Sequence, residues 1–134
     1  MVSWSRAFAL SLLVLAATHM FACATDPLVT RWADRWLAAE RAGMQGVSDA
    51  IAEFDALHIS APTLADADAA LFGKARALRA QRRTAEAFAI FDRLGNTAMR
   101  RMDRARSRCE MGRMALEASR FDAARALFRQ VVET

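Results

Sequence analysis

The chain has 134 residues, a formal net charge of +4 at pH 7, two histidines, two cysteines and no tyrosine. One histidine and one cysteine fall in an N-terminal export segment, so the rest of the chain holds a single imidazole, His58, and a single thiol, Cys109. These are too few groups for a zinc site or a hydrolytic triad, and no glycine-rich phosphate loop occurs. The sequence therefore predicts no catalytic residue, no metal and no cofactor.

Residues 1–24 have the layout of a secretory signal peptide. Arg6 supplies the positive charge near the start, residues 7–17 form an uncharged apolar run, and mostly small residues follow. An uncleaved membrane anchor is disfavoured because the apolar run is short for a membrane span. The sequence therefore predicts that the chain is exported.

Two processing routes remain open at the end of this segment. Cleavage after an A-x-A site at residues 22–24 would release a soluble chain that begins at Thr25. Residues 20–23 resemble instead a bacterial lipobox, in which Cys23 would carry the lipid. The first route predicts a periplasmic protein, and the second predicts a lipid anchor at the cell envelope, most simply the outer membrane.

The first two helices are predicted directly after the signal peptide. Asp26 followed by Pro27 is a good helix start, because the carboxylate accepts from free amides and proline is tolerated at the first helical position. Gly43 and Gly46 are expected to end this helix. A second helix follows, and Pro62 ends it because the residue before a proline disfavours helical geometry.

The third and fourth helices have recognisable ends. Thr63 with Asp66 forms a start like a capping box for the third helix. A polar turn over residues 80–84 leads into the fourth helix, which Gly95 and Asn96 are expected to end.

The fifth and sixth helices complete an all-α chain. Thr97 is expected to cap the fifth helix, and Ser119 with Asp122 to start the sixth. No stretch shows sustained alternation of apolar and polar residues, so strands are not expected. The sequence predicts six antiparallel helices.

Three stretches of the chain superimpose at a constant offset of 37 residues. In each copy an alanine is followed four residues later by a phenylalanine and three residues after that by an aliphatic residue, which places all three on one stripe of a helix. The structural repeat residues are Ala50, Phe54 and Leu57, then Ala87, Phe91 and Leu94, then Ala124, Phe128 and Val131. One helical hairpin cannot bury such a stripe alone, so stacked copies are expected to share a core.

This pattern resembles the tetratricopeptide repeat family across residues 27–134, with repeats at about 27–61, 64–98 and 99–134. The resemblance also rests on a small residue in each first helix and on a proline after the first hairpin: Ala38, Ala75, Gly112 and Pro62. It implies an α-solenoid of helical hairpins, whose first helices line a concave groove that binds protein partners. An ordinary six-helix bundle is the alternative fold.

In the register of that family, aromatic and arginine side chains of the first helices would face the groove. The candidate partner-binding residues are Trp32, Arg35, Phe72, Arg76, Arg79, Arg106 and Arg113. Guanidinium groups bind carboxylates bidentately and stack on aromatic rings, so the expected partner is an acidic peptide or protein. Residues 71–134 carry fifteen Lys or Arg against seven Asp or Glu, but export argues against nucleic acid as the partner of this basic half.

The predicted function is a non-enzymatic scaffold for protein–protein contacts at the bacterial cell envelope. The alternative is that residues 25–134 form the N-terminal repeat part of a longer polypeptide, or part of an envelope assembly or enzyme complex. Cys109 is expected to be a small buried apolar residue, and an intermolecular disulfide is its other interpretation.

Overall fold

The structure analysed is a computed structural model, and it describes residues 26–133. Within that range it has no strand and six helices: α1 at Pro27–Met44, α2 at Asp49–Ile59, α3 at Leu64–Ala80, α4 at Thr84–Thr97, α5 at Arg101–Glu117 and α6 at Phe121–Glu133. The predicted all-α class with six helices is confirmed for this part of the chain. The predicted signal peptide of residues 1–24, with Cys23, lies outside the described residues.

The described residues fall into two units, with the boundary between Arg31 and Trp32. In the described part of the first unit, the amide of Leu28 donates to the carboxylate of Asp26 at 2.9 Å. This bond satisfies one of the free amides of the first turn, so the predicted start of α1 is confirmed. The packing and the sites considered below belong to the second unit.

The ends of α3 and α4 show where local sequence signals hold and where they fail. The amide of Asp66 donates to Thr63 Oγ1 at 3.1 Å, which confirms the predicted start of α3. Gly95 and Asn96 do not end α4, because the helix continues to Thr97. The hydroxyl of Thr97 donates to the carbonyl of the preceding turn at 2.9 Å. Thr97 therefore closes α4, and the prediction that it caps α5 is wrong.

The helices and turns of the second and third predicted repeats recur at the offset that the sequence shows. The bounds of α3 and α5 lie 37 residues apart at both ends, as do the first residues of α4 and α6. Arg82 and Ser119, also 37 apart, both have positive φ values, of 61° and 57°. Such values are uncommon for residues other than glycine. Ser119 therefore belongs to the turn after α5, and the prediction that it starts α6 is wrong.

From α2 onward, packing runs from each helix to the next. Contacts join α2 with α3, α3 with α4, α4 with α5, and α5 with α6, and α3 also contacts α5. The alanines of the three triplets, Ala50, Ala87 and Ala124, are buried, with 3%, 0% and 1% of their surface exposed. Phe54 and Phe91 are also buried. These small and large side chains therefore form the core between neighbouring helices.

Glycines allow the closest helix approaches. A Cβ atom on Gly43 of α1 would lie 3.1 Å from Ala77 Cβ of α3. A Cβ atom on Gly112 of α5 would lie 2.7 Å from the ring of Phe128 on α6. Since real Cβ atoms do not approach other atoms this closely, an alanine at Gly112 would displace the ring.

Candidate partner-binding site

Trp32 does not belong to the site that the sequence predicts for it. Only 9% of its surface is exposed, and its indole N–H donates to the carbonyl of Leu57 on α2 at 2.9 Å. The ring packs in the same core cluster as Phe54. Trp32 is therefore a core residue between α1 and α2 and is not available to a partner.

Arg35 is placed apart from the other predicted arginines. Its Nε donates to Glu53 on α2 at 2.8 Å. Both side chains line a shallow apolar depression between α1 and α2, with Ala42 and Val47 on its wall. Arg35 therefore lies beside the α1–α2 hairpin and away from the arginines of α3 and α5.

The other five predicted residues converge on one surface. Two neighbouring depressions, of about 100 and 420 Å³, share Arg76 as a lining residue. We call this surface the α1–α3–α5 groove, and its principal lining residues are Trp36, Glu40, Met44, Phe72, Arg76, Arg79, Asp103, Arg106, Glu110 and Arg113. The helix periodicity thus brings together Phe72 and four arginines, and the acids between them were not among the predicted residues.

Ion pairs connect the three helices of the α1–α3–α5 groove. Arg76 of α3 pairs with Glu40 of α1 at 3.0 Å. Arg79 of α3 pairs with Glu110 of α5 at 2.6 Å and also with Glu117. The Glu40 and Glu110 side chains are only 16% and 15% exposed, so these pairs are less screened than pairs on an open surface. They hold the arginines in place along the groove.

Two further arginines pair within α5. Arg113 lies 3.3 Å from Glu110, and Arg106 lies 4.0 Å from Asp103. Both pairs have i, i+3 spacing, which is the local signal that could have revealed these acids from the sequence. All four groove arginines therefore face carboxylates, and acids offset most of the positive charge where the sequence predicts a basic surface.

Phe72 is the aromatic element of the α1–α3–α5 groove. Its ring packs edge to face on Phe91, with 5.3 Å between the centroids. The guanidinium of Arg106 lies 5.5 Å from the centre of the Phe72 ring, within the range of a cation–π contact. These contacts fix the ring between the core and the groove, which gives a binding surface with little side-chain entropy left to lose.

Asp103 gives the groove spare hydrogen-bonding capacity. Its Oδ2 atom is buried and accepts no hydrogen bond from the residues that the structure describes. A buried carboxylate oxygen without a donor is unfavourable, so this end of the groove favours a ligand that supplies an N–H or O–H group.

The residues with potential for chemistry are separate from this groove. The Nδ1 atom of His58 lies 3.1 Å from the carbonyl oxygen of Ala67, and Cys109 is a half-buried free thiol. Within residues 26–133, no group of three or more His, Cys, Asp or Glu side chains is placed to hold a metal ion.

The chain matches no protein-family model, no curated protein and no solved structure. In the described part of the chain, none of the helices has both the length and the apolar character that a membrane crossing requires.

Proposed function

We propose that the chain is a tetratricopeptide-type repeat scaffold that binds a protein or peptide partner along the α1–α3–α5 groove. Helix bounds and turn conformations that recur at 37 residues support a repeat of hairpins. The buried alanines of the three triplets support shared packing between neighbouring hairpins. In this proposal α1, α3 and α5 are the first helices of the three repeats.

The observation that carries the proposal is the set of ion pairs that joins one first helix to the next. Glu40 and Arg76 join α1 to α3, and Arg79 and Glu110 join α3 to α5. A row of alternating charges beside an aromatic ring is a surface for an extended, polar chain. Since the arginines already face carboxylates, a partner with both charges fits this surface better than a uniformly acidic one.

The signal peptide that the sequence predicts supports a place for this scaffold at the bacterial cell envelope. Lipid on Cys23 would hold it at the outer membrane, and cleavage before Thr25 would leave it in the periplasm. The proposal is non-enzymatic, since binding by shape and charge along a repeat surface needs no catalytic group.

Position-specific photo-crosslinking in the bacterium that encodes the chain tests this function. Met44 lines the α1–α3–α5 groove and is 65% exposed, so a photoreactive benzoylphenylalanine replaces it without disturbing the core. The matched control places the same group at Val132, which is 85% exposed on α6. We expect an adduct with one defined protein, identified by mass spectrometry, from position 44 alone. Equal adducts from both positions, or none from position 44, would contradict the proposal.

A further inference from the structure

A second groove lies between α4 and α6, and residues near the C-terminal end of α5 also line it. It has a volume of about 500 Å³. We call it the α4–α6 groove, and its apolar lining includes Ala85, Phe88, Met114, Ala115, Ala118 and Leu127. Among the described residues that line it, Arg120 alone is charged. The side chain of Arg120 forms no ion pair within residues 26–133.

At two of the corresponding positions, the preceding hairpin carries larger side chains. Thirty-seven residues before Ala118 stands Gln81, whose amide donates to the carbonyl of Val47 at 3.1 Å. Thirty-seven residues before Ala115 stands Leu78, which is 1% exposed. Alanine reaches less far than glutamine or leucine, which leaves room in the later groove at these two positions.

Arg120 also lacks the carboxylate that pairs with the corresponding arginine of the preceding hairpin. Arg83 donates two hydrogen bonds to Glu86, both of 2.7 Å. These bonds lower the pKa of the Glu86 carboxyl and raise the pKa of Arg83. Thirty-seven residues further on stand Arg120 and Ala123. Arg120 therefore occupies the position of Arg83 without the carboxylate that binds it.

Arg83 and Arg120 form the same backbone hydrogen bond, so the surroundings of their side chains can be compared. The amide of Arg83 donates to the carbonyl of Leu78 at 2.9 Å, and the amide of Arg120 donates to the carbonyl of Ala115 at 2.8 Å. The turn before each arginine therefore has the same backbone hydrogen bond. The later hairpin lacks the carboxylate of Glu86 and carries alanine where the earlier one has Leu78 and Gln81.

We propose that the α4–α6 groove binds a segment of a partner protein that carries a carboxylate beside a bulky apolar side chain. The carboxylate accepts two hydrogen bonds from Arg120, and the apolar side chain packs on Phe88, Met114 and Leu127. A protein segment is the occupant because protein side chains supply these same groups in the preceding hairpin. This site is separate from the α1–α3–α5 groove and does not depend on the function proposed for it.

A peptide selection tests the inference on protein purified after expression of the full chain. The probe is a random library of twelve-residue peptides, and the affinity of the enriched peptides is measured by fluorescence anisotropy. We expect the enriched peptides to combine Asp or Glu with a bulky apolar residue one or two positions away. Enrichment of peptides without that combination, or no enrichment, would overturn the proposal. Dodecanoate, which joins a carboxylate to an apolar chain, is the second probe. Binding of dodecanoate without binding of any peptide would also overturn the proposal.

Three variants locate the binding, and two of them restore residues of the preceding hairpin. Ala118→Gln fills the groove, Ala123→Glu supplies Arg120 with an internal carboxylate, and Arg120→Gln removes the guanidinium. Each should weaken the binding of the selected peptides by about tenfold, because it removes either the charge-assisted hydrogen bonds from Arg120 or the space for the apolar side chain. The first two copy residues that the chain already uses on the same backbone, so an unchanged helical circular dichroism spectrum is expected.

Matched controls separate the groove from general charge. Ala126→Glu changes the net charge as Ala123→Glu does, and Arg125→Gln changes it as Arg120→Gln does. Both control residues are exposed on α6 and do not line the groove. We expect the controls to keep the affinity of the unmodified protein. Affinities that are unchanged in the three groove variants, or reduced equally in the controls, would overturn the proposal.

Discussion

The ring of Phe54 on α2 lies where a Cβ atom on Gly73 of α3 would stand. The same ring is 3.4 Å from the position that a Cβ atom on Gly43 of α1 would take. Phe54 is therefore enclosed by two helices, and α3 can approach it this closely only because it carries glycine at position 73.

Gly73→Ala should destabilise the protein by about 1–3 kcal/mol, because the added methyl group must displace the Phe54 ring in a packed core. Urea denaturation measures the change in the free energy of unfolding. Gly95→Ala is the control. Its Cβ atom would meet the flexible side chain of Arg108 at 3.3 Å, and alanine is favoured over glycine inside a helix. If both variants are equally stable, Phe54 does not pack on Gly73.

Ala87 offers a second test of the packing between hairpins. It is completely buried in a cluster with Phe91 and Met111, so Ala87→Leu overpacks this contact and should cost about 1–3 kcal/mol. Ala89→Leu on the exposed side of the same helix should change stability by less than about 0.5 kcal/mol. Equal melting temperatures for the two variants would mean that the 37-residue register is wrong.

Local sequence signals predicted the helices well because they act over a few residues. The caps at Asp26 and Thr63 use side chains within three positions of the amides they bind. The prediction that Trp32 faces the groove was wrong for a related reason. Helical periodicity gives the direction of a side chain from its own axis, but not whether a neighbouring helix covers it.

The charge balance of the α1–α3–α5 groove could not be predicted from local spacing alone. Glu40 lies 36 residues from Arg76, and Arg79 lies 31 residues from Glu110, so their pairing depends on how the helices stack. The α4–α6 groove could be predicted in principle, because Ala118 and Ala123 stand where the preceding copy has Gln81 and Glu86. Predicting this groove requires a comparison of the residues that differ between the copies, whereas a repeat is recognised from the residues that the copies share.

The N-terminus gives a prediction that depends on the sequence alone. We expect Cys23 to carry a lipid, because residues 20–23 resemble a lipobox, and several acyl chains would anchor the protein firmly. Mass spectrometry of the mature protein should show an acylated Cys23 as its first residue, and Cys23→Ser should lose the modification. An unmodified chain that begins at Thr25 would show soluble release instead.

The central claim is that a partner binds the charge pattern of the α1–α3–α5 groove. The most direct test exchanges the two charges of one ion pair, in the double variant Glu40→Arg with Arg76→Glu. The pair is kept in reverse, so the melting temperature should stay close to that of the unmodified protein. The matched control makes the same exchange at Arg35 and Glu53, which pair at 2.8 Å beside the α1–α2 hairpin and outside this groove.

The measurement is the dissociation constant for the partner identified by crosslinking from position 44. We predict that the exchange at Glu40 and Arg76 weakens binding about tenfold or more, because like charges then face each other across the interface. The exchange at Arg35 and Glu53 should leave binding unchanged. Equal dissociation constants for the unmodified protein and both exchanged variants would contradict the claim that this groove binds the partner.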